Sequence, residues 1–161
     1  MKHTLSILVE NKPGVLTRVA GLFARRGFNI DSLVVAATGD PELSRMTITV
    51  DEQDQTVEQV TKQLHKLINV LKITDLDPAG SVERELLLLK VRADAHTRAE
   101  VMQMVEIFGA RIVDVTSEVL LVEMTGAPEK VGAFIDVLAP FGLVEQMRTG
   151  RLAMGRGRKA T

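Results

Sequence analysis

With 161 residues, 45% of them hydrophobic, the chain can bury one good core or two small ones, and this composition argues against disorder over most of its length. A net charge of −1 gives no long-range field to draw in nucleic acid or an acidic membrane, and the absence of cysteine excludes disulfides, a thiolate nucleophile and Cys-based metal sites. No apolar run approaches the ~20 residues that span a bilayer. Met1, Lys2 and His3 lead directly into a strand pattern with no targeting segment, so the sequence reads as soluble and cytoplasmic, with no membrane partner.

Lys2 to Glu10 alternates Leu5, Ile7 and Val9 against Thr4, Ser6 and Glu10, the period of a strand with one buried face, and Leu8 falls on the other face. Asn11, Lys12, Pro13 and Gly14 then break the run before Leu16, Val19, Ala20 and Phe23, whose spacing is that of one helix face. Pro13 suits a first helical turn, where its missing N–H has no partner to lose. Gly14 lets a small molecule approach the unpaired amides of that turn, and the helix dipole favours an anion there. Gly27 suits a left-handed cap, and Asn29 offers an amide at the mouth of the next strand.

Ile30 to Thr38 and Ser44 to Asp51 read as a hairpin around the turn residues Gly39, Asp40, Pro41 and Glu42. After a polar loop, Val57, Val60, Leu64 and Leu67 mark a second helix from about Thr56, and Val70 to Leu76 a closing strand. The order is βαββαβ. It recurs 82 residues later, where Leu5, Ile7, Val9, Val19, Gly27 and Ile30 map onto Leu87, Leu89, Val91, Val101, Gly109 and Ile112. The second set of elements is strand Glu85 to Ala93, helix His96 to Phe108, strands Arg111 to Thr116 and Val119 to Thr125, helix Pro128 to Leu138 and strand Leu143 to Arg148. Pro78 to Ser81 links the two, giving domains at 1–78 and 79–161. The fold class is α+β, two consecutive ferredoxin-like units, each a four-stranded antiparallel sheet with both helices on one face. Asn11, Gly14 and Asn29 map to Ala93, His96 and Arg111, so the ligand turn has no counterpart in the second copy. Two small cores of this kind favour burial against another chain, and hence an oligomer.

No set of acids, bases or nucleophiles converges, so no catalytic residue is assigned. His3, His65 and His96 are scattered without ligand spacing, and Asp51, Glu52 and Asp54 read as a solvated turn, so no metal site is assigned. The βαββαβ order is also that of RNA-binding modules, which stack bases on sheet aromatics. Here Phe23, Phe28, Phe108, Phe134 and Phe141 all fall on expected helices or turns, and no nucleic-acid partner is expected. The tail after Glu145 carries Arg148, Arg151, Arg156, Arg158 and Lys159 among glycines; it reads as a loose terminus, with binding to RNA or to an acidic partner surface as alternatives.

The segments ENKPGVLTRVAGLFARRGFNIDSLVV, LSRMTITV and QLHKLINVLKI, with VEREL and IVDV in the second half, resemble the small, regulatory subunits of acetolactate synthase over nearly the whole chain. The resemblance implies an N-terminal ACT domain at 1–78 and a C-terminal ferredoxin-like domain with its basic tail at 79–161. It also implies a non-catalytic chain that activates a separate catalytic large subunit and confers feedback inhibition by valine in branched-chain amino-acid biosynthesis. The chain itself would hold no cofactor; thiamine diphosphate, FAD and magnesium would belong to the catalytic partner. In the family the effector sits between two ACT domains of a homodimer, and the matching positions here are Asn11, Gly14, Val15, Leu16, Asn29 and Ile30. Each also has a purely structural reading: Asn11 as a helix cap, Gly14 as the residue of a tight turn, Asn29 as a partner for strand-end backbone.

Overall fold

The computed structural model describes residues 1–161, the side chain of Asp54 excepted. The elements are β1 (Lys2–Glu10), α1 (Val15–Arg25), β2 (Ile30–Ala37), β3 (Leu43–Asp51), α2 (Asp54–Leu64) and β4 (Val70–Asp75). A 3-10 turn (Pro78–Gly80) leads into β5 (Ser81–Arg92), α3 (Arg98–Ile107), β6 (Arg111–Val115), β7 (Val119–Gly126), α4 (Pro128–Leu138), a second 3-10 turn (Ala139–Phe141), β8 (Leu143–Arg148) and β9 (Leu152–Gly155). They form two compact units, Met1–Val82 with Arg151–Thr161, and Glu83–Gly150.

In the first unit the strands pair antiparallel in the order β2-β3-β1-β4, as expected of a ferredoxin-like sheet. Leu5, Ile7 and Val9 of β1 and Met46, Ile48 and Val50 of β3 form one face and pack against both helices. On α1 the buried stripe is Val15, Val19, Leu22 and Phe23, whereas the sequence reading took Leu16 and Ala20. Leu16 is 43% exposed; starting the i, i+4, i+7, i+8 stripe at Val15 turns it outward. Helix α2 buries Val57, Val60 and Leu64 and stops there, so Leu67 packs on the core from the following turn rather than from the helix. Burying side chains as large as Phe23 contributes about 2–3 kcal/mol each.

The second unit repeats the plan, with β6-β7-β5-β8 and with Leu87, Leu89, Val91, Leu120 and Val122 facing Val101, Val105, Val131, Phe134 and Leu138. Phe108 and Phe134 tilt together at 5.2 Å between ring centroids. Gly27 and Gly109 end α1 and α3 in the same way, at φ +73° and +68°. Gly27 N–H donates to Ala24 O and Phe28 N–H to Phe23 O; Gly109 N–H donates to Glu106 O and Ala110 N–H to Val105 O, a Schellman cap in each case.

The basic tail differs from its expectation. Instead of ending loose, Arg151–Thr161 packs with the first unit. Strand β9 pairs with β5, whose first residues Ser81 and Val82 belong to this unit, and Arg156 N–H donates to Gly80 O at 2.8 Å. The Arg45 guanidinium donates to Thr161 O at 2.8 Å and Lys72 to Ala160 O at 2.7 Å. A buried Ala153 and turn glycines supply what a run of cations alone does not.

Candidate functional site

Lys12 to Val15 form a type II turn: Pro13 precedes Gly14, which sits at φ +83°, ψ −9°, and Val15 N–H reaches Lys12 O at 3.4 Å. Gly14 is the helix N-cap, so Pro13 lies before the helix and not in its first turn as the sequence reading placed it. The N1 position suits Pro128 of α4 instead. A Cβ on Gly14 would meet nothing within 4 Å, so the glycine serves the backbone angle and an open approach. Among the described residues no hydrogen bond is recorded for the amides of Gly14, Leu16 and Thr17, and no side chain caps α1. These donors, at the positive end of the helix, suit a carboxylate.

Asn11 is not the cap. Its Nδ2 donates to Pro41 O at 2.9 Å and its main-chain N–H to Glu42 O at 2.8 Å, tying the turn to the β2–β3 hairpin. A carbonyl can only accept, so the amide nitrogen must face Pro41 and Oδ1 is left as an outward acceptor. From the other side Asn69 O accepts from Glu10 N–H at 2.9 Å while its Oδ1 accepts from Arg18 at 2.6 Å. Pro41, Glu42, Arg18 and Asn69 therefore fix the turn, a role that no local sequence signal marks. Lys12 pairs with Glu10, whose carboxylate raises the ammonium above the ordinary lysine value and keeps a charge beside the turn.

The side chain of Val15 is buried in the core, so its contribution is a backbone one, while the exposed Leu16 offers an apolar contact. Asn29 is exposed and Ile30 packs partly on the core. The structure does not bring all six positions together within one chain. Ile30 pairs with Val50, which pairs with His3, whereas Asn11 follows Glu10, the partner of Leu43. Seven residues of strand separate the two ends, roughly 20 Å. Asn11, Gly14, Val15 and Leu16 form one group and Asn29 and Ile30 another, at opposite ends of the sheet.

The matching turn of the second unit is closed by its own side chain. Asp94 Oδ1 accepts from the main-chain N–H of His96 at 2.8 Å and of Thr97 at 3.0 Å. These donors hold its carboxyl below the ordinary range. The cleft between α3 and β6, about 360 Å³ and lined by Met102, Gln103, Val105, Glu106, Ala110 and Ile112, carries one carboxylate and no convergent polar set. Among the described residues no three His, Asp or Glu side chains cluster to hold a metal, and no helix is long and apolar enough to cross a membrane. The side chain of Asp54, part of the acidic loop noted above, lies outside the described residues.

Residues 5–72 match the AHAS small subunit-like ACT domain, and residues 84–157 match the family of the small subunit of acetolactate synthase. The acetolactate synthase small subunit of Mycolicibacterium smegmatis is 54% identical over 155 residues, 96% of this chain and 91% of the relative. The probable acetolactate synthase small subunit of Archaeoglobus fulgidus is 54% identical over 159 residues, 99% of each chain. The crystal structure of the acetolactate synthase small subunit from Thermotoga maritima matches with a TM-score of 0.91 at 48% identity, over 99% of both chains.

Proposed function

The chain belongs to the acetolactate synthase small-subunit family, and from that premise we propose that it is the non-catalytic regulatory subunit of an acetolactate synthase. It associates with a catalytic large subunit, raises its activity and makes it sensitive to valine, an end product of branched-chain amino-acid biosynthesis. Thiamine diphosphate, FAD and magnesium belong to the catalytic partner. The observation that carries the effector reading is the contrast between two matched turns: in the second unit Asp94 accepts from the amides of His96 and Thr97, and in the first unit the amide of Gly14, the counterpart of His96, has no recorded hydrogen bond, nor do those of Leu16 and Thr17 after it. An amino acid supplies the carboxylate for those amides, Asn11 Oδ1 suits its ammonium, and Leu16 and Ile30 suit an isopropyl group.

The separation of the six positions within one chain supports a homodimer. Strand β2 is an edge strand of IDSLVVAA, with neither proline nor lysine to block pairing. Pairing β2 antiparallel with its copy sets the Ile30 end of one chain beside the Ala37 end of the other. Ala37 pairs with Ser44, the partner of Val9, so this is the end that leads into the Asn11 turn. Two equivalent sites then form across a two-fold axis, each from the turn of one chain and Asn29 and Ile30 of its copy. Valine bound there favours one arrangement of the pair, and the catalytic subunit favours another.

The test is acetolactate formation by the cognate catalytic subunit, alone and with this chain, across a valine titration. The expected result is activation by the chain and valine inhibition only in its presence. With Gly14→Asp the activation stays and the valine response disappears, because a carboxylate stands where the effector's own must sit. A catalytic subunit indifferent to the wild-type chain would contradict the assignment, and a Gly14→Asp chain that still confers valine inhibition would remove the turn from the site.

A further inference from the structure

The segment 151–161 contains Arg151, Arg156, Arg158 and Lys159 and no acid, yet it is held in place against the first sheet. Its end is clamped over Leu8, whose register partners on the two neighbouring strands are Arg45 and Lys72. Those are the side chains that hold Thr161 O and Ala160 O. Arg45 also donates to Ser6 Oγ at 3.0 Å, and Gly155 N–H to Thr161 Oγ1 at 3.3 Å. The hydrogen bonds recorded for these two cations go to main-chain and hydroxyl oxygens, and the strap they hold carries four cationic side chains and no acidic one. Cationic side chains therefore collect along the strap.

Strand alternation adds an apolar element. With Ala153 buried, Leu152 and Met154 turn outward and are 47% and 64% exposed. Arg156, Arg158 and Lys159 follow them closely in the chain, all exposed and making no ion pair among the described residues. An apolar centre with a charged rim is the composition of a protein–protein interface. The hydrogen bonds and the buried Ala153 preorganise it, so docking need not order a loose tail.

We propose that this strap is a docking surface for an acidic surface of the catalytic subunit bearing an apolar contact at its centre; the partner's identity rests on the function proposed above. A protein fits better than RNA because no aromatic side chain lies in residues 142–161 on which a base could stack.

The experiment replaces Arg156→Glu, Arg158→Glu and Lys159→Glu together in the full chain. Association with the catalytic subunit is measured by calorimetry at several salt concentrations, beside valine binding to the chain alone. The expected result is an affinity for the catalytic subunit lower by about tenfold or more, a flatter salt dependence, and unchanged valine binding. A second variant, Leu152→Ser with Met154→Ser, weakens association and keeps the wild-type salt slope. Association unchanged in both variants overturns the docking surface and leaves the proposed function standing. A wild-type chain that does not associate overturns both. Salt-dependent binding of an oligouridylate that the charge variant loses, with association intact, reassigns the surface to RNA.

Discussion

The turns that lead into α1 and α3 occupy matching places in the two units and differ in their chemistry, and single residues decide how. In the turn before α3, Asp94 accepts from the main-chain N–H groups of His96 and Thr97, while Lys12, its counterpart 82 residues earlier, pairs with Glu10, and the Gly14 amide has no recorded hydrogen bond. Because the folded carboxyl of Asp94 titrates below its ordinary value, its contribution is fully present above that value and is lost as the pH falls through the lower, folded one. Asp94→Ala is therefore expected to lower the melting temperature at pH 7, with the difference from wild type closing below about pH 4; melts at the two pH values check it. Gly14 acts through its backbone angle. Gly14→Ala, at φ +83°, is expected to cost about 1 kcal/mol in urea unfolding while leaving room beside the turn. Such a change leaves valine binding weaker but measurable, in contrast to Gly14→Asp.

At the level of elements, the alternation of Leu5, Ile7 and Val9 and its echo at Leu87, Leu89 and Val91 made both sheets legible, because one strand face has only one place to go. The capping glycines at 27 and 109 were equally readable, since the backbone turn they make is local. Less legible were features set by tertiary partners. On α1, Val19 and Phe23 are buried as expected while Val15 and Leu22 take the places given to Leu16 and Ala20; α2 ends before Leu67, and Pro13 falls outside its helix. The order of the tail depends on Arg45 and Lys72, far away in sequence. The core itself follows ordinary rules. Phe134→Ala, which removes a fully buried ring tilted against Phe108, is expected to cost about 3–5 kcal/mol, and Gly109→Ala about 1 kcal/mol, both measurable by urea unfolding.

At the scale of the whole molecule, sequence marked the candidate positions but hid their geometry. Spacing along the chain makes Asn11 and Asn29 look like the two ends of one local motif, whereas the register of β1, β3 and β2 sets them at opposite ends of the sheet. The proposed site therefore needs a second chain to bring the two groups together. The measurement that tests this directly is valine binding by mixed dimers of Gly14→Asp and Asn29→Asp chains, each variant alone being unable to bind. If the site is shared, a mixed dimer has one intact site, from the turn of one chain and Asn29 of the other. An equimolar mixture re-equilibrated through unfolding then recovers about a quarter of wild-type capacity. Mixed dimers that form and bind no valine would contradict the account, placing the whole site within one chain.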